Sequence, residues 1–176
     1  MANSDKHDKR LQRWQSRVPE KTRSLSELLT RKLAPIIEAV EFAKVDREFA
    51  RADRPVEGSE LRYERELGEH VDVLYVFFDK YSSPRFQIGF SRRKMADRDL
   101  IVRSGHLVQK SSQYYHEWGK PRWLPLALWS EAQARATVDE VAESLPQVFS
   151  FLEFGVRGSR ISQSTDSVRK TPGKSG

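Results

Sequence analysis

The segment VDVLYVFFDKY, residues 71–81, decides the fold of this chain. As a strand it carries large apolar side chains on both faces, with Val71, Val73, Tyr75 and Phe77 on one face and Leu74, Val76 and Phe78 on the other. A strand that is apolar on both faces needs cover on both, so the pattern predicts the central strand of a sheet. The turn residues SSP at 82–84 and the alternation that follows them predict an antiparallel partner strand.

An amphipathic helix is predicted before the sheet. Its apolar residues between Leu25 and Val40 recur every three or four positions. Ser24 and Glu27 have the spacing of a capping box, in which each side chain binds a free backbone amide, so the helix is predicted to begin there. Pro35 lies inside the stripe and removes one backbone donor, which predicts a kink or two abutting helices.

A second amphipathic helix is predicted after the sheet, behind a capping-box pattern at Ser130 and Gln133. Its apolar stripe runs from Ala134 to Leu152, with a bend or a break predicted at Pro146. The order helix, strands, helix predicts an α+β fold, in which an antiparallel sheet of about five strands is packed by an N-terminal and a C-terminal helical segment.

Three short segments add a resemblance to known domains. They are LAPIIEAVEF at residues 33–42, EFAR at 48–51 and SLPQVFSFLEFG at 144–155. Together with the strands between them, over about residues 25–155, they resemble uncharacterised bacterial α+β domains of unknown function. The resemblance implies the same α+β fold and supplies no catalytic residues.

The net charge of +6 is concentrated at the two ends of the chain. Residues 1–35 carry nine Lys and Arg against four Asp and Glu, and residues 157–176 carry five against one, so the part between them has a charge of −3. Together with the apolar pattern, this distribution predicts a basic N-terminal extension or surface helix at 1–20 and a single α+β domain at 21–156. The polar residues from 157 onward predict a disordered basic tail.

Several classes of protein are excluded by what the sequence lacks. Without cysteine it has no disulfide, thiol nucleophile or thiolate metal site. The longest apolar run, Val73–Phe78, is six residues, and no apolar stretch follows the charged first ten residues, so the chain is predicted to be cytoplasmic and not membrane-bound. No phosphate-binding glycine loop, GxSxG elbow or nuclease-type carboxylate two residues before a lysine occurs, and no cofactor is expected.

Aromatic residues crowd the stretch SSQYYHEWGKPRW, residues 111–123. Packing of this stretch onto the sheet is favoured over ligand binding, because a long connection has to bury something to stay ordered. If a pocket exists, this stretch is predicted to form one wall, with the candidate ligand-binding residues Tyr114, Tyr115, His116, Trp118, Trp123, Arg103 and Arg122.

Basic residues give a second set of candidates, for anions or nucleic acid. The sequence RRK at 92–94 is the basic cluster within the body, and a self-paired turn is the favoured interpretation because acidic residues surround it. The candidates are Arg92, Arg93, Lys94, Arg10, Arg13, Arg17, Arg169 and Lys170.

Histidines offer a possible metal site. His106 and His116 lie near Asp97, Asp99 and Glu117 along the chain, but their spacing matches no standard zinc pattern, so structural roles are favoured and no metal is expected.

Three functional hypotheses remain. The first is a noncatalytic intracellular interaction module that binds a protein or small ligand. The second is a nucleic-acid-associated accessory protein that uses its basic termini. The third is a metal-dependent hydrolase that uses the two histidines and a carboxylate.

Overall fold

The computed structural model describes residues 12–45, 60–79, 83–110 and 116–164 of the chain. Within these ranges an antiparallel sheet has seven strands, in the order β1-β2-β3-β4-β5-β7, with β6 paired to β4. The strands are β1 (Ala43–Lys44), β2 (Glu60–Leu67), β3 (His70–Phe78), β4 (Arg85–Lys94), β5 (Ile101–Leu107), β6 (Glu117–Gly119) and β7 (Ile161–Gln163). The long helices are α1 (Glu20–Glu38) and α2 (Glu131–Phe154); residues 12–15 are also helical, and Leu126–Leu128 forms a 3-10 turn. The predicted α+β class is confirmed.

The predicted central strand is β3. Leu74 lies at its middle, paired with Tyr63 of β2 and Phe90 of β4, and this face of the sheet packs against both long helices. The helices contribute buried stripes made of Leu25, Leu29, Leu33 and Ile37, and of Val138, Val141, Leu145, Val148 and Leu152. On the opposite face Val71 and Val73 are also buried, whereas Tyr75 and Phe77 are half-buried, so the predicted burial of both faces holds only in the first half of the strand.

Helix α1 begins earlier than the sequence predicts. Its N-cap is Pro19, which has no side chain able to bond a backbone amide, and Ser24 lies exposed inside the helix. The predicted capping box at Ser24 and Glu27 is therefore wrong, because the helix starts five residues sooner, after Pro19, whose ring fixes φ near the helical value. Pro35 and Pro146 each lie inside an uninterrupted helix, so neither divides its helix in two.

Helix α2 has the predicted capping box. The Ser130 hydroxyl accepts a hydrogen bond from the Gln133 amide at 3.2 Å, and the Ser130 amide donates to the Gln133 side chain at 2.8 Å. The helix ends at Gly155, whose φ of 75° lies in the left-handed region that glycine adopts at low cost.

Both ends of the predicted domain extend further than the sequence indicates. Trp14 and Val18 are buried in the core, and the Trp14 ring lies 4.9 Å from that of Phe78, so residues 12–18 belong to the folded body rather than to a surface extension. After α2, Ile161 is buried and strand β7 pairs with β5, which carries the described fold to Ser164 rather than ending it at 156. The predicted disordered tail is thus structured over its first residues, and residues 165–176 lie outside the described ranges.

Candidate functional site

The aromatic stretch divides into a buried part and an exposed part. Trp118 lies on β6 opposite Phe86, is buried, and donates its indole N–H to the Leu107 carbonyl at 3.0 Å. Trp123 is 81% exposed. Tyr114 and Tyr115 lie outside the described residues. Packing thus accounts for Trp118 and leaves Trp123 at the surface.

The connection after Trp123 exposes further apolar side chains. Leu126 and Leu128 are exposed, the latter to 65%, whereas Trp129 is buried at the start of α2. We call Trp123, Leu126 and Leu128 the Trp123 patch. The sequence of this stretch, LPLALW at residues 124–129, has the composition of a core segment, and that composition does not indicate which residues of the turn face inward.

Two lysines hold the connection in place. The Lys21 ammonium, from the first turn of α1, donates to the carbonyls of Leu126 at 2.8 Å, Ala127 at 2.9 Å and Trp129 at 2.6 Å. The Lys120 ammonium donates to the carbonyls of Pro121 and Leu124. Lys120 therefore fixes the backbone on both sides of Trp123, and Lys21 fixes the backbone from Leu126 to Trp129. Neither lysine was identified from the sequence.

A cleft of about 450 Å³ lies next to the patch, between the start of α1 and the start of α2. Lys21, Leu28 and Arg31 line one side, and Trp129 and Glu131 line the other. Lys21 both binds the Leu126 carbonyl and lines the cleft, whereas the three residues of the Trp123 patch do not line it.

His106 and His116 are in contact, with ring centroids 4.6 Å apart. Burial, and then the neighbouring His116, lower the pKa of His106 to about 4. The Nδ1 atom of His116 is buried without a hydrogen-bond partner among the described residues.

The predicted carboxylate ligands do not join this pair. Within the described ranges no three His, Asp or Glu side chains are grouped so that they could hold a metal ion. Asp97 accepts a hydrogen bond from the Asp99 amide within its own turn, and the Glu117 carboxylate is bound by Arg122. Among the described residues, the two histidines contact each other and no carboxylate completes a group of three.

The predicted anion contacts Arg103 and Arg122 are engaged by the protein itself. Arg103 donates to the carbonyls of Phe151 and Leu152 at 3.0 and 3.1 Å, at the C-terminal end of α2. Arg122 donates twice to the Glu117 carboxylate, at 2.9 and 2.6 Å, and these hydrogen bonds lower the pKa of Glu117.

The basic cluster at 92–94 does not converge on one exposed surface. Arg92 is buried against Asp72, and Arg93 donates to the Ser91 hydroxyl and the Arg98 carbonyl. Lys94 is exposed at the end of β4. At the N-terminus Arg13 and Arg17 are exposed, whereas Arg10, Arg169 and Lys170 lie outside the described residues.

None of the helices in the described ranges combines the length and apolar character needed to span a membrane. Comparison of the chain with protein-family models, with curated proteins and with solved structures finds no match in any of the three. The resemblance to uncharacterised bacterial α+β domains remains a prediction from the sequence.

Proposed function

We propose that this chain is a noncatalytic interaction module that binds the apolar surface of a partner protein through the Trp123 patch. The observation that carries the proposal is the 81% exposure of Trp123 beside Leu126 and Leu128, on a connection whose backbone is held by the protein. Single exposed leucines are ordinary on protein surfaces, but an exposed tryptophan followed within five residues by two exposed leucines supports an interaction surface.

Rigidity of the connection supports the same proposal. Lys21 reaches it from α1 and binds three of its carbonyls, so the backbone under the patch is anchored to a helix of the core. A preformed surface loses little conformational entropy when a partner binds. Tryptophan then contributes a large contact area with only two side-chain torsions to fix, which is why it is enriched among the residues that dominate binding energy.

The cleft beside the patch gives a partner side chain a place to insert. Its volume of about 450 Å³ is in the range of protein pockets that bury a ligand group. Leu28 and Trp129 supply apolar lining, while Arg31 and Glu131 supply charges of both signs at the cleft. We therefore expect the partner to present apolar side chains with polar groups at their margin.

Co-purification from the native host tests the proposal. The tagged full chain is compared with the double variant Trp123→Ala, Leu128→Ala, at low and at high salt. Loss of a buried tryptophan anchor typically costs about 2 kcal/mol or more, which weakens binding about 30-fold, so the partner should be lost from the variant at both salt concentrations.

Phe154→Ala is the matched control, because Phe154 is 70% exposed at the far end of α2 and lies outside the patch. The partner should remain bound to this variant. A salt-stable partner that stays on the Trp123→Ala, Leu128→Ala protein would contradict the proposal. Material that is released by nuclease or by moderate salt would instead support the nucleic-acid hypothesis, with phosphate contacts from the basic termini.

Size-exclusion chromatography with light scattering distinguishes a second copy of this chain from a different partner. A dimer in the purified protein that dissociates in the double variant identifies the partner as a second copy. A monomer in both proteins leaves a different polypeptide as the partner recovered in the co-purification.

A further inference from the structure

We propose that the turn between α2 and β7 forms a binding pocket for a phosphorylated small molecule. A cavity of about 360 Å³ lies there, lined by Val108, Arg157, Gly158, Ser159, Ile161 and Ser162. This site is separate from the Trp123 patch and does not depend on it. It falls in the stretch that the sequence indicated as a tail.

The turn is fixed by hydrogen bonds to the rest of the fold. The Gln147 side chain, on α2, accepts a hydrogen bond from the Arg160 amide at 3.0 Å. The Val108 amide donates a hydrogen bond to the Arg160 carbonyl at 2.9 Å. A Cβ atom at Gly158 would overlap the Gln147 side chain, so a larger residue here would displace the group that binds the Arg160 amide. The pocket wall is therefore preformed, which lowers the entropic cost of binding.

Donors outnumber acceptors among the side chains of the lining. Arg157 uses its Nε to donate to the Ile161 carbonyl at 3.0 Å, and its two Nη groups have no acceptor among the residues that the structure describes. The Ser159 and Ser162 hydroxyls likewise have no partner within those residues, and the lining contains no Asp or Glu. Glu140 binds Arg160 at 2.7 Å and is not part of the lining.

These groups fit a phosphoryl group better than other ligands. A phosphomonoester carries a charge of about −1.5 to −2 at neutral pH and three oxygens that accept hydrogen bonds, which suits one guanidinium fork and two hydroxyls. The volume exceeds what a single phosphate fills, which leaves room for the organic part of the molecule against the backbone of the turn. The Val108 and Ile161 side chains are each only 2% exposed and belong to the core beneath the pocket. We therefore assign the pocket to a small phosphomonoester.

Isothermal titration of the full chain with phenyl phosphate, inorganic phosphate and benzoate tests this assignment. We expect saturable binding of one phenyl phosphate per chain, weaker binding of inorganic phosphate because it lacks the apolar part, and the weakest binding of benzoate, whose carboxylate has fewer oxygens and less charge. Benzoate binding as tightly as phenyl phosphate would contradict the phosphoryl assignment, as would the absence of saturable binding by all three probes.

Two variants locate the binding. Loss of a charge-assisted hydrogen bond should weaken phenyl phosphate binding about tenfold or more in Arg157→Gln, and Ser159→Ala should weaken it several-fold. Ser159 is exposed and has no protein partner among the described residues, so its replacement leaves the turn intact. The matched control is Arg135→Gln, which removes an arginine of α2 that is paired with Glu131 outside the pocket. Equal affinity of Ser159→Ala, Arg157→Gln and the parent chain would overturn the proposal.

Discussion

Asp72 and Arg92 form a two-point ion pair across adjacent strands, in which the carboxylate accepts Arg92 Nε at 2.6 Å and Nη2 at 2.8 Å. Asp72 is fully buried on the face of the sheet that packs against the helices, and Arg65 from the other neighbouring strand also donates to it at 2.8 Å. The same two arginines also bind backbone carbonyls at the helix ends. Arg65 donates to the Val40 carbonyl just after α1, and Arg92 donates to the Glu153 carbonyl of α2. One carboxylate thus ties three strands to the C-terminal ends of both helices.

Asp72→Asn is expected to destabilise the fold strongly. The substitution keeps the size of the side chain but leaves the buried Arg92 without its counterion and Arg65 with only the Glu153 carboxylate at 3.7 Å, a change that typically costs about 3–5 kcal/mol. Urea unfolding measures the loss. Asp139→Asn is the control, because Asp139 pairs with Lys32 at an exposed site where an ion pair contributes about 1 kcal/mol or less. Similar losses of unfolding free energy in the two variants would show that the buried ion pairs of Asp72 stabilise the fold no more than an exposed pair does.

Gly89→Ala is expected to disturb the face of the sheet opposite the helices. Gly89 pairs with Tyr75, and a Cβ atom at position 89 would overlap the Tyr75 ring, which also contacts Phe77 with ring centroids 4.6 Å apart. Overpacking of this kind costs about 1–3 kcal/mol. In a Tyr75→Ala background the same substitution should cost about 0.5 kcal/mol or less, because the overlapping ring is gone. Chemical unfolding measures both losses. If Gly89→Ala lowers the free energy of unfolding equally in the parent chain and in the Tyr75→Ala chain, the overlap with the Tyr75 ring is not the cause.

The parts of the fold with repeated apolar spacing could be predicted from the sequence, and the parts made by isolated residues could not. Strand β3 and the stripes of both helices carry many apolar positions in register, so their burial follows from spacing alone. Strand β7 has one buried residue, Ile161, among polar ones, and its pairing with β5 comes from backbone hydrogen bonds that leave no pattern in the side chains.

The candidate site was harder to predict for a related reason. Tryptophans at 118 and 123 stand in similar sequence surroundings, and only the pairing of β6 with β4 buries the first and leaves the second exposed. Asp72 did carry a signal, since it is a lone charge in an otherwise apolar strand, and such a charge requires a buried counterion. Its partners come from strands on both sides, so they could not be named without the register.

The stability of the fold is expected to fall with acidification in a way that depends on His106. Its pKa is lowered to about 4 in the folded protein from 6.5, so between these values the unfolded chain binds more protons and stability rises with pH. Above about pH 6.5 His106 is neutral in both the folded and the unfolded chain and does not lower the free energy of unfolding. As the pH falls from 6.5 toward 4, only the unfolded chain takes up the proton, and the free energy of unfolding decreases. One pKa unit corresponds to about 1.4 kcal/mol, which makes the whole effect about 3.5 kcal/mol at most.

His106→Gln isolates this contribution from the carboxylates, which titrate in both proteins. Between pH 7 and pH 5 the parent chain should lose more free energy of unfolding than the variant does. Because His116 is the second cause of the lowered pKa, His116→Gln should raise the pKa of His106, which an NMR titration of its ring protons reports directly. Parallel stability profiles for the parent and His106→Gln would contradict the expectation.

Two serines with the same capping-box spacing are expected to respond differently to alanine. Ser130 caps α2 through hydrogen bonds in both directions with Gln133, so Ser130→Ala should cost about 1 kcal/mol of unfolding free energy. Ser24 lies exposed within α1, where alanine is the better helix former, so Ser24→Ala should be neutral or stabilise by about 0.5 kcal/mol. Urea unfolding of both variants compares them directly. A loss at Ser24 equal to that at Ser130 would mean that α1 begins at Ser24 in solution, as the sequence motif alone predicts, and that Pro19 does not start it.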